Sequence, residues 1–512
     1  MANVEKDTIR RMLSAGDEHL RAGRFRAAVS AFRDVISLSP RNSPALMGMG
    51  WSLGLLGEHE QAEAALKRAV SVAGGHGRSH YLLGALQQQV GKVNDALASF
   101  VRGMALAPSD PDSYAAAAAI YEQTHQLDKA RTTLEKGLKA TPGDPKLTAH
   151  LWSIRARQGE SEQARDALRT MVAGLSGSTG PHVAAHVHHL LGQVEDQLGE
   201  YDRAFENFRR MNSLRLGAFG GLAADRARYA DSYRQYQGPT RRMAVRWAAE
   251  RYDDGLADPL FLVGFPRSGT TMIEQVLGSH PRVVAGDEKP MLVEVSAKIT
   301  QETSIASIGT ALDAMPRARV LELRREYWDS VARHGFTVGA GQVFIDKYPL
   351  HISRLSVINR LFPRSRVLVA VRDPRDCCLS GFMQLMDPNP AMMQFMTLDT
   401  GARLYDAVMN LYLAERAKLT LATREVYYED AIADLQTQAR AMLEFLGLEW
   451  SDKVLSFHER ARQRYISTPS HRTVTEPVNT RAMGRWRNYR SHLEPILPLL
   501  ARYVQEFGYE AA

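Results

Sequence analysis

The hydrophobic positions in the first part of the chain follow a helical period, and the pattern recurs. Ala28, Ala62, Ala96, Ala130 and Ala164 stand 34 residues apart, in phrases of one design: AGRFRAAVSAF, LGEHEQAEAAL, VGKVNDALASF, THQLDKARTTL and QGESEQARDAL. Twelve residues before each alanine stand Gly16, Gly50, Gly84 and Ala118, until Trp152 weakens the pattern. Twelve residues after it stand Pro40, Gly74, Pro108 and Pro142. Two antiparallel helices and their turns fill about 34 residues, and small side chains are needed where the helices cross. Proline then stops the second helix. A sixth phrase, LGEYDRAFENF, sets Ala204 40 residues after Ala164, with the loop-like GLSGSTG of 174–180 taking up the extra length.

This spacing resembles the tetratricopeptide repeat (TPR) family over residues 8–215, which implies an all-α solenoid. Such a solenoid offers a groove to a peptide or protein, or serves as a scaffold for the rest of the chain; the repeat alone does not choose. Residues 216–257 are charged and helical in pattern and read as the end of the solenoid followed by a linker.

From Pro259 the period changes. PLFLVGF is a short apolar run with the pattern of a buried strand, PRSGTT is a turn, and MIEQVLGSH returns to helical spacing. Strand, glycine-bearing turn and helix together aim backbone N–H groups at an anion. Gly264 and Gly269 keep the spacing of a Walker phosphate loop, but Thr270 stands where its lysine belongs. A kinase or nucleoside triphosphatase would lack its γ-phosphate grip and is disfavoured. Arg267, Ser268, Thr270 and Thr271 remain to meet an anion's oxygens. Further on, RVLVAVRDPRDCCLSGF runs a second apolar strand into Arg372, with Ser380 eight residues later, a pair suited to a second phosphate.

These motifs resemble sulfotransferases that use 3′-phosphoadenosine 5′-phosphosulfate (PAPS), above all the tyrosylprotein sulfotransferases and their TPR-bearing bacterial relatives, over residues 258–510. The resemblance implies an α/β, P-loop-like domain with a central parallel sheet, and transfer of a sulfuryl group from PAPS to a hydroxyl. It implies a 5′-phosphosulfate loop of Arg267, Ser268, Gly269, Thr270 and Thr271, and a 3′-phosphate site of Arg372 and Ser380. By the same likeness AGDEKP makes Glu288 the catalytic base, and FIDKYP makes Lys347 a stabiliser of the transferring group. VYYED supplies Tyr428 to the donor, SHRTVTEPVN gives Ser470 a sulfuryl contact, and GRWRNY brings Arg485 to the 3′-phosphate. Where tyrosylprotein sulfotransferases carry arginines that grip acidic peptides, this chain has Pro290 and Glu294, and Gln384 replaces a further donor-contacting arginine. The acceptor (peptide tyrosine, saccharide or small-molecule alcohol) stays open.

Composition narrows the remaining choices. Lys and Arg number 64 against 57 Asp and Glu, a net +7, which permits an anionic ligand without the concentrated basic patch that nucleic acid demands. Cys377 and Cys378 are the two cysteines and are adjacent, which excludes a disulfide framework or a cysteine-built zinc site and fits a reducing compartment. No signal-peptide core or membrane span is expected, so a cytoplasmic location is the default. No metal is expected either: His182, His186, His188 and His189 cluster within a repeat helix and read as packed or solvated. His351 is a rival base to Glu288. The methionine-rich segment 383–396 lines an acceptor pocket or forms a lid. Two other classes stand against the enzyme reading: a nucleotide-dependent kinase or triphosphatase, and a TPR adaptor with an inactive sulfotransferase-like domain.

Overall fold

The computed structural model describes residues 2–73, 76–177, 179–218, 223–386, 389–462 and 479–511 of the 512-residue chain. It falls into two compact units, Met1–Ser176 and Gly177–Ala512.

The first unit is a run of helix pairs, among them Ser43–Leu55 with His59–Ala73 and Gly77–Gln89 with Val93–Leu106. The repeat residues explain why the pairs form. Ala28, Ala62, Ala96, Ala130 and Ala164 have no exposed surface. A Cβ on Gly84 would lie 2.7 Å from the Phe100 ring and 3.1 Å from the Ala96 carbonyl oxygen, so only glycine permits that crossing. Helix starts are capped locally: Asn42 and Asp144 accept the backbone N–H groups of Ala45 and Leu147, and Asp110 accepts that of Asp112. Pro44, Pro111 and Pro145 occupy the first turns that follow, where a missing N–H costs nothing.

The second unit opens with the sixth helix pair, Pro181–Gln197 and Tyr201–Ala218. The repeat rule still holds there: Ala204 is fully buried, and a Cβ on Gly192, twelve residues earlier, would meet the Phe208 ring at 2.8 Å. This pair, read from the sequence as solenoid, shares a hydrophobic core with the sheet. Phe205 stacks on Phe382 at 5.1 Å and on His492 at 4.0 Å, and Asn212 donates to the Phe382 carbonyl at 2.8 Å. Ala204, Phe205 and Phe208 belong to the cluster that includes Phe261, Val263 and Val369.

Five parallel strands follow: β1 (Leu260–Gly264), β2 (Val283–Ala285), β3 (Val343–Lys347), β4 (Arg366–Val371) and β5 (Ala422–Tyr427). They lie in the order β2-β3-β1-β4-β5, with Leu262 opposite Lys347 and Gly264 opposite Ala370. Alternate residues serve opposite faces. Phe261, Val263, Phe344, Val367 and Val369 enter one core, while Leu262, Ile345, Leu368 and Val426 enter the other. Helices cover both faces, so the central strands β1 and β4 read as nearly continuous apolar runs. No helix among the described residues is long and apolar enough to cross a membrane.

Candidate active site

A parallel sheet sends every strand's carboxyl end to the same edge, where an open α/β sheet builds its crevice. Each strand here delivers a sequence-predicted residue to that edge. Arg267 follows β1, Glu288 follows β2, Lys347 ends β3, Arg372 follows β4 and Tyr428 follows β5.

The turn after β1 leads into the helix Thr270–Gly278, where Ser268, Thr270 and Thr271 are buried. Gly269 caps that helix at φ 95°, and a Cβ there would strike the Tyr428 ring at 2.5 Å. Any larger residue would therefore be both strained and obstructed. Ser268 Oγ is buried and has no hydrogen-bond partner among the described residues; the same is true of Arg372 Nε. Buried polar atoms are almost always paired, so two groups able to donate, a guanidinium N–H and a hydroxyl O–H, left over at this end of the sheet fit an anionic ligand.

Arg372 is the hub of this corner. It donates to the Arg267 carbonyl at 3.0 Å and to the Ala482 carbonyl, lies 3.8 Å from Asp376, and sits 4.7 Å over the Tyr428 ring. Arg267 Nε donates to Ser380 Oγ at 3.1 Å. The sequence reading set these two at opposite ends of the donor, whereas here they touch. Burial, with Arg372 nearby, pushes the Arg267 pKa down to about 10. Cys377 and Cys378 are buried behind this corner, with Cys377 Sγ 3.9 Å from the Arg372 carbonyl.

Glu288 and Lys347 meet directly. Lys347 Nζ lies 2.9 Å from Glu288 Oε1 and 2.9 Å from Glu274 Oε2; the lysine is fully buried, while the Glu288 side chain is 34% exposed. Burial works against the Lys347 ammonium, but Glu274 and Glu288 outweigh it and raise its pKa above the ordinary lysine value. The loop presenting Glu288 is strained: Asp287 and Glu288 have φ of 30° and 49°. Gly286 N–H donates to the Ile345 carbonyl at 2.9 Å and Glu288 N–H to the Lys347 carbonyl at 3.0 Å, which pins the strained turn beside β3.

The other predicted residues are placed less simply. Arg485 pairs with Asp196, which also accepts the Tyr489 hydroxyl at 2.6 Å. The guanidinium thus faces the helix Pro181–Gln197. Its backbone neighbours are held by Asp376, which accepts the Gly484 and Trp486 N–H groups at 2.7 and 2.8 Å and has a pKa raised by burial to about 6. Ser470 lies outside the described residues. His351, the rival base, is fully buried, 3.4 Å from Asp346 and stacked 4.7 Å from Tyr348. Burial lowers its pKa, which suits a core imidazole. Glu294 accepts from Ser330 at 2.7 Å and lies 3.0 Å from both Arg333 and His334; His334 leads in holding its pKa down to about 2. Met383, Met393, Phe395 and Met396 are buried, so these residues of the methionine-rich segment are core. His188 pairs with Asn207, and His189 with Gln193. Among the described residues no cluster of three or more His, Cys, Asp or Glu is arranged to hold a metal ion.

Glu274 escaped the sequence reading. The signal for Glu274 was a lone carboxylate inside the apolar helix phrase TTMIEQVLG.

Comparison with known proteins agrees with this architecture. Residues 259–452 match the sulfotransferase family, and residues 13–77 and 88–151 each match a tetratricopeptide repeat family. An uncharacterized protein of Aquifex aeolicus (strain VF5) is 27% identical over 254 residues, covering 47% of this chain but 32% of that protein. Protein-tyrosine sulfotransferase 2 of Gallus gallus is 26% identical over 264 residues, 48% of this chain and 68% of its own. Protein-tyrosine sulfotransferase A of Caenorhabditis elegans is 25% identical over 288 residues, 49% and 69% of the two chains. Among solved structures, Pseudomonas aeruginosa pilF aligns with a TM-score of 0.35 at 14% identity, over 43% of this chain and 98% of that one. The chain therefore carries tetratricopeptide repeats followed by a domain that matches the sulfotransferase family.

Proposed function

We propose that the second unit transfers a sulfuryl group from PAPS to an acceptor hydroxyl. The observation that carries this reading is the Glu288–Lys347 contact at 2.9 Å on the strand edge that also bears the unpaired Ser268 Oγ and Arg372 Nε. The donor supplies an activated S–O bond and two anionic ends. Ser268, Gly269, Thr270 and Thr271 would hold the 5′ end, with the helix N-terminus contributing its N–H groups. Arg372 and Ser380 would hold the 3′-phosphate, with Tyr428 against the nucleotide and Arg485 joining once it leaves Asp196.

Glu288 takes the proton from the acceptor O–H as that oxygen bonds to sulfur. Lys347 and Arg267 neutralise charge on the oxygen whose bond to sulfur breaks, and Ser470 joins them by the family likeness. The products are a sulfate ester and 3′-phosphoadenosine 5′-phosphate. Positioning and electrostatics supply most of such a rate enhancement. A sulfuryl group carries less negative charge than a phosphoryl group, so cationic side chains suffice without a metal ion.

On the acceptor side, Glu294 is committed to Ser330, Arg333 and His334, and Pro290 offers no charge. That supports an acceptor other than an acidic peptide. The groove of the first unit is proposed to receive a peptide or protein. Incubating a lysate with ³⁵S-labelled PAPS and the full chain tests the reading. A labelled acceptor is expected with the wild type, and Glu288→Ala should cut labelling by about 10²–10⁴-fold. Equal labelling with both proteins would remove Glu288 as the base, and none with the wild type would refute sulfuryl transfer.

A further inference from the structure

The mechanism above leaves unused a buried carboxylate that touches Lys347. Glu274 lies on the helix that starts at the phosphate-type turn, and its side chain is 3% exposed. An ionised carboxylate in such a place is costly unless it is paired. Its partner is Lys347, 2.9 Å away and itself fully buried, and the same ammonium lies 2.9 Å from Glu288. One lysine is thus shared by two carboxylates, Glu274 sealed and Glu288 partly exposed.

This sharing matters because the proposed reaction, on which the inference rests, makes conflicting demands on Lys347. The lysine must turn to the transferring group, and Glu288 must be free to accept a proton. With Glu288 as its sole partner, an ammonium leaving that carboxylate would become an unpaired buried cation. We propose that Glu274 is a positioning residue: its sealed carboxylate anchors Lys347 and keeps it charged, so that the ammonium can pass from Glu288 to the transferring group and release the base. The electrostatics agree. Glu274 is the largest of the influences raising the Lys347 pKa, followed by Glu288 and Asp287. Burial raises the pKa of Glu274 itself, with Lys347 pulling it back down.

The charged groups facing Lys347 are Glu274, Glu288 and Asp287, so the effect of removing one has a definite sign. Glu274→Gln keeps the shape and deletes a charge that favours the ammonium, so Lys347 loses its proton at lower pH. Two measurements on the full chain read this. The first follows Lys347 by NMR of ¹³C-labelled lysine methylene groups, assigned by loss of the signal in Lys347→Arg; it needs no donor or acceptor. Glu274→Gln should lower the Lys347 titration midpoint by about one pH unit or more. The second follows ³⁵S transfer from PAPS to p-nitrophenol. The same variant should lose about ten-fold or more in kcat, keep the KM for PAPS within about three-fold, and move its alkaline limb to lower pH. Glu274→Asp, which retains the charge, should restore the midpoint and part of kcat, and it serves as the comparison if the glutamine variant fails to fold. A purely structural glutamate would change thermal stability and leave the lysine midpoint and alkaline limb in place. That result, or a midpoint unmoved in both variants, overturns the inference. Wild-type protein that transfers no sulfur refutes the functional reading instead, and the NMR comparison still decides whether Glu274 holds Lys347 charged.

Discussion

Arg372 shows how much one residue at a strand end can be asked to do. Its guanidinium fixes the turn after β1 through the Arg267 carbonyl, ties down Ala482, and still has Nε unpaired among the described residues. Hydrogen bonds to charged groups contribute about 1.5–3 kcal/mol each. Arg372→Ala should therefore weaken binding of 3′-phosphoadenosine 5′-phosphate by about 10–100-fold, measured by fluorescence or calorimetric titration. Unchanged affinity would place the 3′-phosphate elsewhere. Much of this corner was legible in the sequence, because a phosphate-type turn and a strand-end arginine need particular residue types at fixed offsets. Glu274 was not, because a glutamate within a helix usually marks its solvated face, and only packing shows that Lys347 faces it. The direction of Arg485 was also hidden: its partner Asp196 lies 289 positions away in the chain.

Among the elements, the helix Leu398–Arg416 carries a second buried carboxylate whose effect can be measured. Glu415 is 2% exposed and accepts the Ser356 hydroxyl at 2.7 Å, with Tyr236 donating to both. Burial raises its pKa to about 7 from 4.5. A carboxyl whose folded pKa is raised binds its proton more tightly in the folded state. Its contribution to stability is complete below pH 4.5 and is lost as pH rises through about 7. Glu415→Gln should flatten the dependence of the denaturation midpoint on pH across that window, by roughly 3 kcal/mol in total. Parallel pH curves for the two proteins would contradict the assignment. The repeat helices were legible because Gly84 carries its reason in its size: the Phe100 ring leaves no room for a Cβ there. The strands β1 and β4 were legible because both their faces are buried.

For the whole molecule, the destination of the sixth helix pair was beyond the sequence pattern. LGEYDRAFENF has the same periodicity as the earlier phrases, and nothing in that periodicity says that Phe205 will pack on Phe382 and His492. A chain shortened to begin at Gly177 should keep cooperative unfolding, because it retains these rings and the Asp196 contacts with Arg485 and Tyr489. One shortened to begin at residue 219 strips them away and should lose at least about 3 kcal/mol, as removal of a buried aromatic side chain alone does. Equal denaturation midpoints for the two would show that the pair is not part of the second unit's core.

The most direct test is calorimetric titration of the full chain with 3′-phosphoadenosine 5′-phosphate in the presence of EDTA, beside ATP with Mg²⁺. The strand-edge site should bind the bisphosphate without metal and at least about 100-fold more tightly than ATP, since ATP leaves Arg372 and Ser380 without a 3′-phosphate. Tight binding of Mg²⁺–ATP together with no heat from the bisphosphate would contradict the account.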